Sequence, residues 1–187
     1  MALLLILSLV VNLYLIYQMS IFRRSQDSLW YDLQVSRIIA LQQLSTRLDN
    51  VLEAPDNEVE VSRLIGDFAT TRALSGNMNV LSQESPELRE ALDLLSGQAF
   101  IIHERYFLQL QFRNVGEEEL QKLADFQTTF AAAISELEEL RLQALESGNA
   151  ERYIRKNVSG VVESIRPYLD KNEEIVDNFR TEMIYLP

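Results

Sequence analysis

Cysteine does not occur in the 187 residues, and histidine occurs once. The first absence excludes disulfides, thiolate metal sites and cysteine nucleophiles. The second leaves His103 as the only imidazole, so no two histidines can share a metal. Glycine (6) and proline (4) are scarce. Low punctuation of that kind argues for long helices and against the many short strands of a β sandwich. Basic residues are outnumbered, 17 Lys and Arg against 28 Asp and Glu, for a net charge of −11. That balance repels phosphate backbones and anionic lipid surfaces, so nucleic acid is not expected as a partner. A Walker A loop, a dinucleotide fingerprint and a G-x-S-x-G elbow are also missing.

What is present begins with ALLLILSLVVNLYLIYQMSIF, a stretch with no charged side chain before Arg23 and Arg24. About 20 apolar residues in an α-helix cross a hydrocarbon layer of about 30 Å. Leu3 to Phe22 has that length, and Tyr14 and Tyr17 lie near its far end, where amphipathic rings suit a headgroup boundary. A cleaved signal peptide would want a basic start, a shorter apolar run and an A-x-A-like exit, none of which is found. The pattern therefore predicts a retained anchor over residues 1–24, meeting the lipid bilayer through residues 3–22, and an acidic helical domain over 25–187. A helix buried in a soluble core is the competing reading.

Orientation is set by two opposing arguments. Arg23, Arg24 and Arg37 all come after the apolar run, and the charge rule alone places the helical domain in the cytoplasm. A basic leader missing from the bare start would weaken that count. N-terminal anchors bearing one acidic, cysteine-free domain suit the outer face of a bacterial membrane, and the extracytoplasmic side is the placement expected here.

Beyond the anchor the apolar residues keep helical spacing. Trp30, Leu33, Ile38, Leu41, Leu44, Leu48 and Leu52 form one stripe, ended by Ala54-Pro55-Asp56-Asn57. No glycine or proline separates this helix from the anchor, which suggests one rod. A second helix is expected from Glu58 to Leu81, and a third from Pro86 to Phe112, with Ser85 as its N-cap. A fourth is expected from Glu117 to Ser147-Gly148-Asn149, where Gly148 can take the left-handed C′ position. The fifth carries Ile154, Val158, Val161, Ile165, Tyr168, Ile175 and Phe179 and passes through Pro167 as one kinked helix, with Asn172 as a polar layer. The expected fold is all-α: an N-terminal transmembrane helix followed by an antiparallel up-and-down bundle of four to five long helices, with consecutive helices as neighbours.

Chemistry is thinly represented. The residue three before His103 is Phe100, which breaks the Glu-x-x-His pattern of di-iron bundles, and the second histidine of zinc proteases is missing. His103 is read as a core or boundary residue. Glu136, Glu138 and Glu139 read as a solvated helix face. Asn157-Val158-Ser159 fits the glycosylation triplet but sits mid-helix. No catalytic residue, cofactor or metal ligand is expected. Arg72, Arg105 and Arg113 lie near small or aromatic positions and are candidates for holding an anionic ligand, against the plainer reading that each covers apolar surface and pairs with a glutamate. Gly66, Ala69, Ala73 and Gly76 form a stripe of small residues that would let another helix approach closely.

Two functions are compatible with this pattern, and a third, a hydrolase or metalloenzyme, has no motif behind it. The first is a membrane-tethered, non-catalytic interaction or scaffold module with a protein partner, a second copy of the chain included. The second is a ligand-binding sensory bundle with an aromatic-lined pocket and one inward arginine. The layout resembles, in architecture and without a diagnostic motif, the membrane-proximal helical sensor regions of bacterial receptors. It departs from them in having no second span and no signalling segment after Pro187.

Overall fold

The computed structural model describes the backbone of residues 2–55, 57–76, 86–111 and 116–184. Side chains are described for these except 2–10, 23–30, 75, 76, 103, 105–111, 119 and 179–184. Among the described residues there are five α-helices and no strand: α1 (Ala2–Glu53), α2 (Glu58–Gly76), α3 (Pro86–Gln111), α4 (Glu117–Glu146) and α5 (Ala150–Ile184). The apolar opening and the first bundle helix are one unbroken helix of 52 residues, about 78 Å long. The second helix is described from Glu58 to Gly76, and its expected continuation to Leu81 lies outside the described residues.

The expected transmembrane helix is not supported by the described residues. Among the described residues no helix is long and apolar enough to cross a membrane. Side chains of the opening stretch are described only for residues 11–22. Those twelve residues cover about 18 Å, well short of a bilayer core, and they include Asn12, Gln18 and Ser20.

The helix ends follow local chemistry. Asn57 Oδ1 accepts the backbone N–H groups of Val59 (3.1 Å) and Glu60 (3.3 Å), which caps α2. Pro86 is the first residue of α3, where its missing N–H costs nothing. Gly148 has φ +71° after α4, the left-handed turn that glycine adopts without strain. Asn149 Oδ1 then accepts the N–H of Arg152 at 3.1 Å and starts α5. Pro167 lies inside α5, which continues through it.

Side-chain pairs fix the directions. Gln127 of α4 donates to Ser45 of α1, and Arg141 acts electrostatically on Tyr31. Fourteen residues forward along α4 thus match fourteen residues back along α1, so the two are antiparallel. Tyr153 with Gln143, Ser164 with Glu136 and Asn172 with Thr129 make α5 antiparallel to α4. The packing closes a ring in the order α1, α2, α3, α5, α4 and back to α1. The expectation that consecutive helices are neighbours therefore fails once. Among the described residues α5 sits between α3 and α4, held to α3 by Gln98 and to α4 by Asn172.

The core is the predicted one over most of its length. Leu41, Leu44, Leu92, Leu95, Phe126, Phe130, Leu137 and Ile165 are fully buried. Phe126 and Phe130, one turn apart, stack with ring centroids 5.1 Å apart. The stripe of α5 differs in phase from the expected one. Val162, Leu169 and Val176 are buried, while Val161, Tyr168 and Ile175 are half-buried beside them. A strict three-four rhythm follows a supercoiled 3.5-residue repeat, whereas a straight helix at 3.6 drifts by one position over its length. Each of these three pairs of adjacent apolar residues satisfies either period, so the sequence alone does not choose.

A belt of buried polar groups crosses the bundle at one height. Gln127 Nε2 donates to Ser45 O (2.8 Å) and Oγ (2.9 Å), Thr129 donates to Asn172, and Gln98 Nε2 donates to Leu169 O (3.0 Å) and Glu173 Oε2 (3.2 Å). Asn172 is fully buried, as its place on the stripe predicts. Bonds of this kind set the register of helices whose apolar faces could otherwise slide.

The α1–α2 hairpin carries a charged clasp. Glu60 accepts from Arg47 Nη1 (2.7 Å), Arg63 Nη1 (2.8 Å) and Asn50 Nδ2 (3.3 Å), and Arg47 Nε also donates to Asp67 (3.2 Å). The hydrogen bond from Arg47 is the main reason that the Glu60 carboxyl sits below its ordinary range. The folded protein keeps Glu60 ionised at pH values where the unfolded chain already binds a proton. Its contribution is therefore full above the ordinary carboxylate range and is lost as the pH falls through the folded value. In Glu60→Gln the melting temperature should fall less steeply between about pH 5 and pH 3 than in the parent. Parallel slopes would show that the clasp carries no such linkage.

Candidate functional site

Among the described residues, one feature is not explained by packing. Nine large apolar side chains between Val11 and Phe22 are exposed, from 44% at Ile21 to 64% at Ile16. Leu13, Tyr14, Leu15, Ile16 and Tyr17 are consecutive, and the four steps of about 100° between them go more than once around the helix. The exposure is thus all-round, where an amphipathic helix would show an apolar stripe and a polar face. Gln18 Nε2 donates to the Tyr14 hydroxyl at 3.0 Å, which pairs two polar groups one turn apart on the helix surface.

Where α1 enters the bundle its character reverses. Tyr31 is half-buried, Gln34 is buried, and Arg37 is 2% exposed. Arg37 Nη2 donates to Asp93 Oδ1 of α3 at 2.5 Å. Burial pushes the Arg37 guanidinium down and the neighbouring carboxylate opposes this, so the side chain stays charged. Across the same end, Arg141 makes a two-point contact with Glu138, Nε at 2.7 Å and Nη2 at 2.5 Å. Burial raises the Tyr31 phenol above its ordinary value, with Arg141 working against it. Among the described side chains, α1 thus changes from an uncovered apolar section over 11–22 to a charged, largely buried collar from Tyr31 onward.

The sequence candidates fare unevenly. Arg72 is exposed and lies with its guanidinium carbon 4.5 Å from the centre of the Phe100 ring, a cation–π contact. The side chains of Arg105, His103 and Trp30 and the whole of Arg113 lie outside the described residues. Gly66, Ala69 and Ala73 are not buried, and a Cβ built on Gly66 would meet nothing within 4 Å. Within the described residues, then, no helix closes on Gly66; the side of Gly76 lies outside them. Val158 of the glycosylation triplet is buried within α5.

An open groove of about 540 Å³ runs along α3, lined among others by Arg89, Glu90, Asp93, Leu94, Ile101 and Glu173. Among the described residues its lining holds no aromatic side chain and carries Glu90, Asp93 and Glu173 beside Arg89. Among the described residues, no group of three or more His, Asp or Glu side chains could hold a metal ion. No protein-family model, curated protein or solved structure matches this chain.

Arg37 is the residue that sequence reading missed. It enters there only as a positive charge beyond the apolar run. Its signal was its register: it lies four before Leu41 and seven before Leu44, on the buried stripe itself.

Proposed function

We propose that the chain is a single-pass membrane protein whose N-terminal helix lies in lipid and whose acidic bundle is a non-catalytic interaction module held at the membrane. The observation that carries this is the all-round exposure of apolar side chains over residues 11–22 of a helix that runs on without a break into the bundle core. A helical protein partner would cover one face; a hydrocarbon layer covers every face. The apolar, uncharged residues 2–10 at the sequence level extend this section to the length of a bilayer core. The Arg23-Arg24 pair then marks its boundary. An unbroken helix sets the standoff of the bundle from the bilayer, which is what a scaffold for a membrane-side partner needs.

Flotation with phospholipid vesicles followed by alkaline carbonate extraction tests this directly. The full chain should float with the vesicles and stay with them at high pH. Recovery in the dense, lipid-free fraction without detergent would overturn the reading.

A further inference from the structure

Among the described residues, the α4–α5 hairpin combines exposed apolar side chains with positive charge. Gln127 lies opposite Ser45 and Arg141 opposite Tyr31, so continuing along α4 brings Leu145 to the height of Asp27 and Ser147 to that of Ser25. Ser25 is three residues past Phe22, about 5 Å along the helix. The α4–α5 hairpin therefore sits at the end of the bundle from which the apolar rod projects. On it, Leu142 and Leu145 are 47% and 55% exposed and lie three residues apart, on one side of α4.

The charge also departs from that of the whole chain. Residues 141–156 carry Arg141, Arg152, Arg155 and Lys156 against Glu146 and Glu151, in a chain with a net charge of −11; Arg141 is held by Glu138 and Arg155 by Glu151 at 2.7 Å, so Arg152 and Lys156 carry the local excess. Arg152 and Lys156 are both exposed. Tyr153, half-buried, directs its hydroxyl to Gln143 at 2.8 Å, an amphipathic ring suited to a water–lipid boundary. Single exposed leucines are ordinary on a protein surface. Two leucines, a tyrosine and a local excess of positive charge gathered at one end are a different matter.

We infer that the α4–α5 hairpin, residues 141–156, is a second membrane-contact surface, seated on anionic lipid headgroups beside the point where α1 enters the bilayer. The inference rests on the proposed anchoring of α1. It qualifies the expectation, drawn from net charge, that anionic lipid repels the whole bundle: residues 141–156 carry a local excess of positive charge within an acidic chain. Leu142 and Leu145 would enter the headgroup boundary, while Arg152 and Lys156 would face lipid phosphates. Together with α1 this gives two points of attachment and fixes the rotation of the bundle as well as its height.

Because the chain has no native cysteine, single reporters are unambiguous. Bimane would be placed separately at Tyr17→Cys, Leu145→Cys and Val59→Cys of the full chain. Quenching by brominated lipid would then be read in phosphatidylcholine vesicles with and without phosphatidylserine. Val59, 57% exposed at the opposite end, is the water reference. Position 17 should be quenched in both vesicles, position 145 should be quenched more strongly with phosphatidylserine, and position 59 should not respond. Two basic side chains near an anionic surface raise its occupancy by up to about 30-fold, so Arg152→Glu with Lys156→Glu should abolish the phosphatidylserine-dependent part. If position 17 is quenched while 145 behaves like 59, the hairpin contact is wrong and the anchor stands. If 145 is quenched equally with and without phosphatidylserine, the role of the basic residues is overturned. If none of the three responds, the anchor fails and the hairpin contact fails with it.

Discussion

Placing arginine at both Leu13 and Ile16 should release the chain from membranes while leaving the bundle as stable as before. Both positions are exposed, at 59% and 64%, so neither side chain contributes to the core. A leucine or isoleucine near the middle of a spanning helix favours insertion by about 0.3 to 0.6 kcal/mol, and an arginine there opposes it by about 2.5 to 3.5 kcal/mol. Two such replacements, one central and one nearer the boundary, cost about 5 kcal/mol together, a drop of more than about 10³-fold in partition. Vesicle flotation gives the partition, and thermal denaturation in detergent gives the stability. Loss of binding with an unchanged melting temperature is the expected pair of results. A lowered melting temperature would mean that the apolar section packs on protein, and unchanged flotation would mean that lipid is not what covers it.

Asp93→Ala should destabilise the bundle more than Arg37→Met, although both remove the same ion pair. The side chain of Arg37 is 1% exposed and that of Asp93 is 42% exposed. Removing Asp93 takes a counter-charge away from a guanidinium deep in the packing, whereas removing Arg37 leaves a carboxylate that water already reaches. Breaking a fully buried pair from one side costs about 3 to 5 kcal/mol, and the wet aspartate lowers this to about 2 to 3 kcal/mol. In a protein of this size that is a fall of roughly 5 to 10 °C in melting temperature. Methionine at position 37 fills similar volume without needing a partner, so its effect should stay within about 1 kcal/mol of zero. Equal losses from the two variants would show that Arg37 matters for its other contacts rather than for this charge pair.

Most of the helices were legible in the sequence because their ends are chemically marked. Pro55, Pro86 and Gly148 each act through the backbone, where the rule is nearly independent of context. Stripe phase was harder. In α5 the pairs Val161-Val162, Tyr168-Leu169 and Ile175-Val176 let two periods fit equally, and only the packed neighbours decide between them. Helix order was not legible either, because a short connection limits distance without stating which helix comes to lie between α3 and α4. The site shows the same division. The uncharged opening run stands out in one dimension. Arg37 does not, since a buried arginine depends on a carboxylate from another helix 56 residues away. The basic hairpin end is hidden for a related reason: net charge averages over the chain, while a surface meets only what the fold brings to it.

Spin-label accessibility over Val11 to Phe22, one position at a time in vesicles, bears most directly on the central claim. If α1 stands alone in lipid, every position should be reached by oxygen and shielded from a water-soluble nickel chelate, with no helical period in the readings. A periodicity near about 3.6 residues, with one protected face, would contradict the account and point to a protein lying along this helix instead.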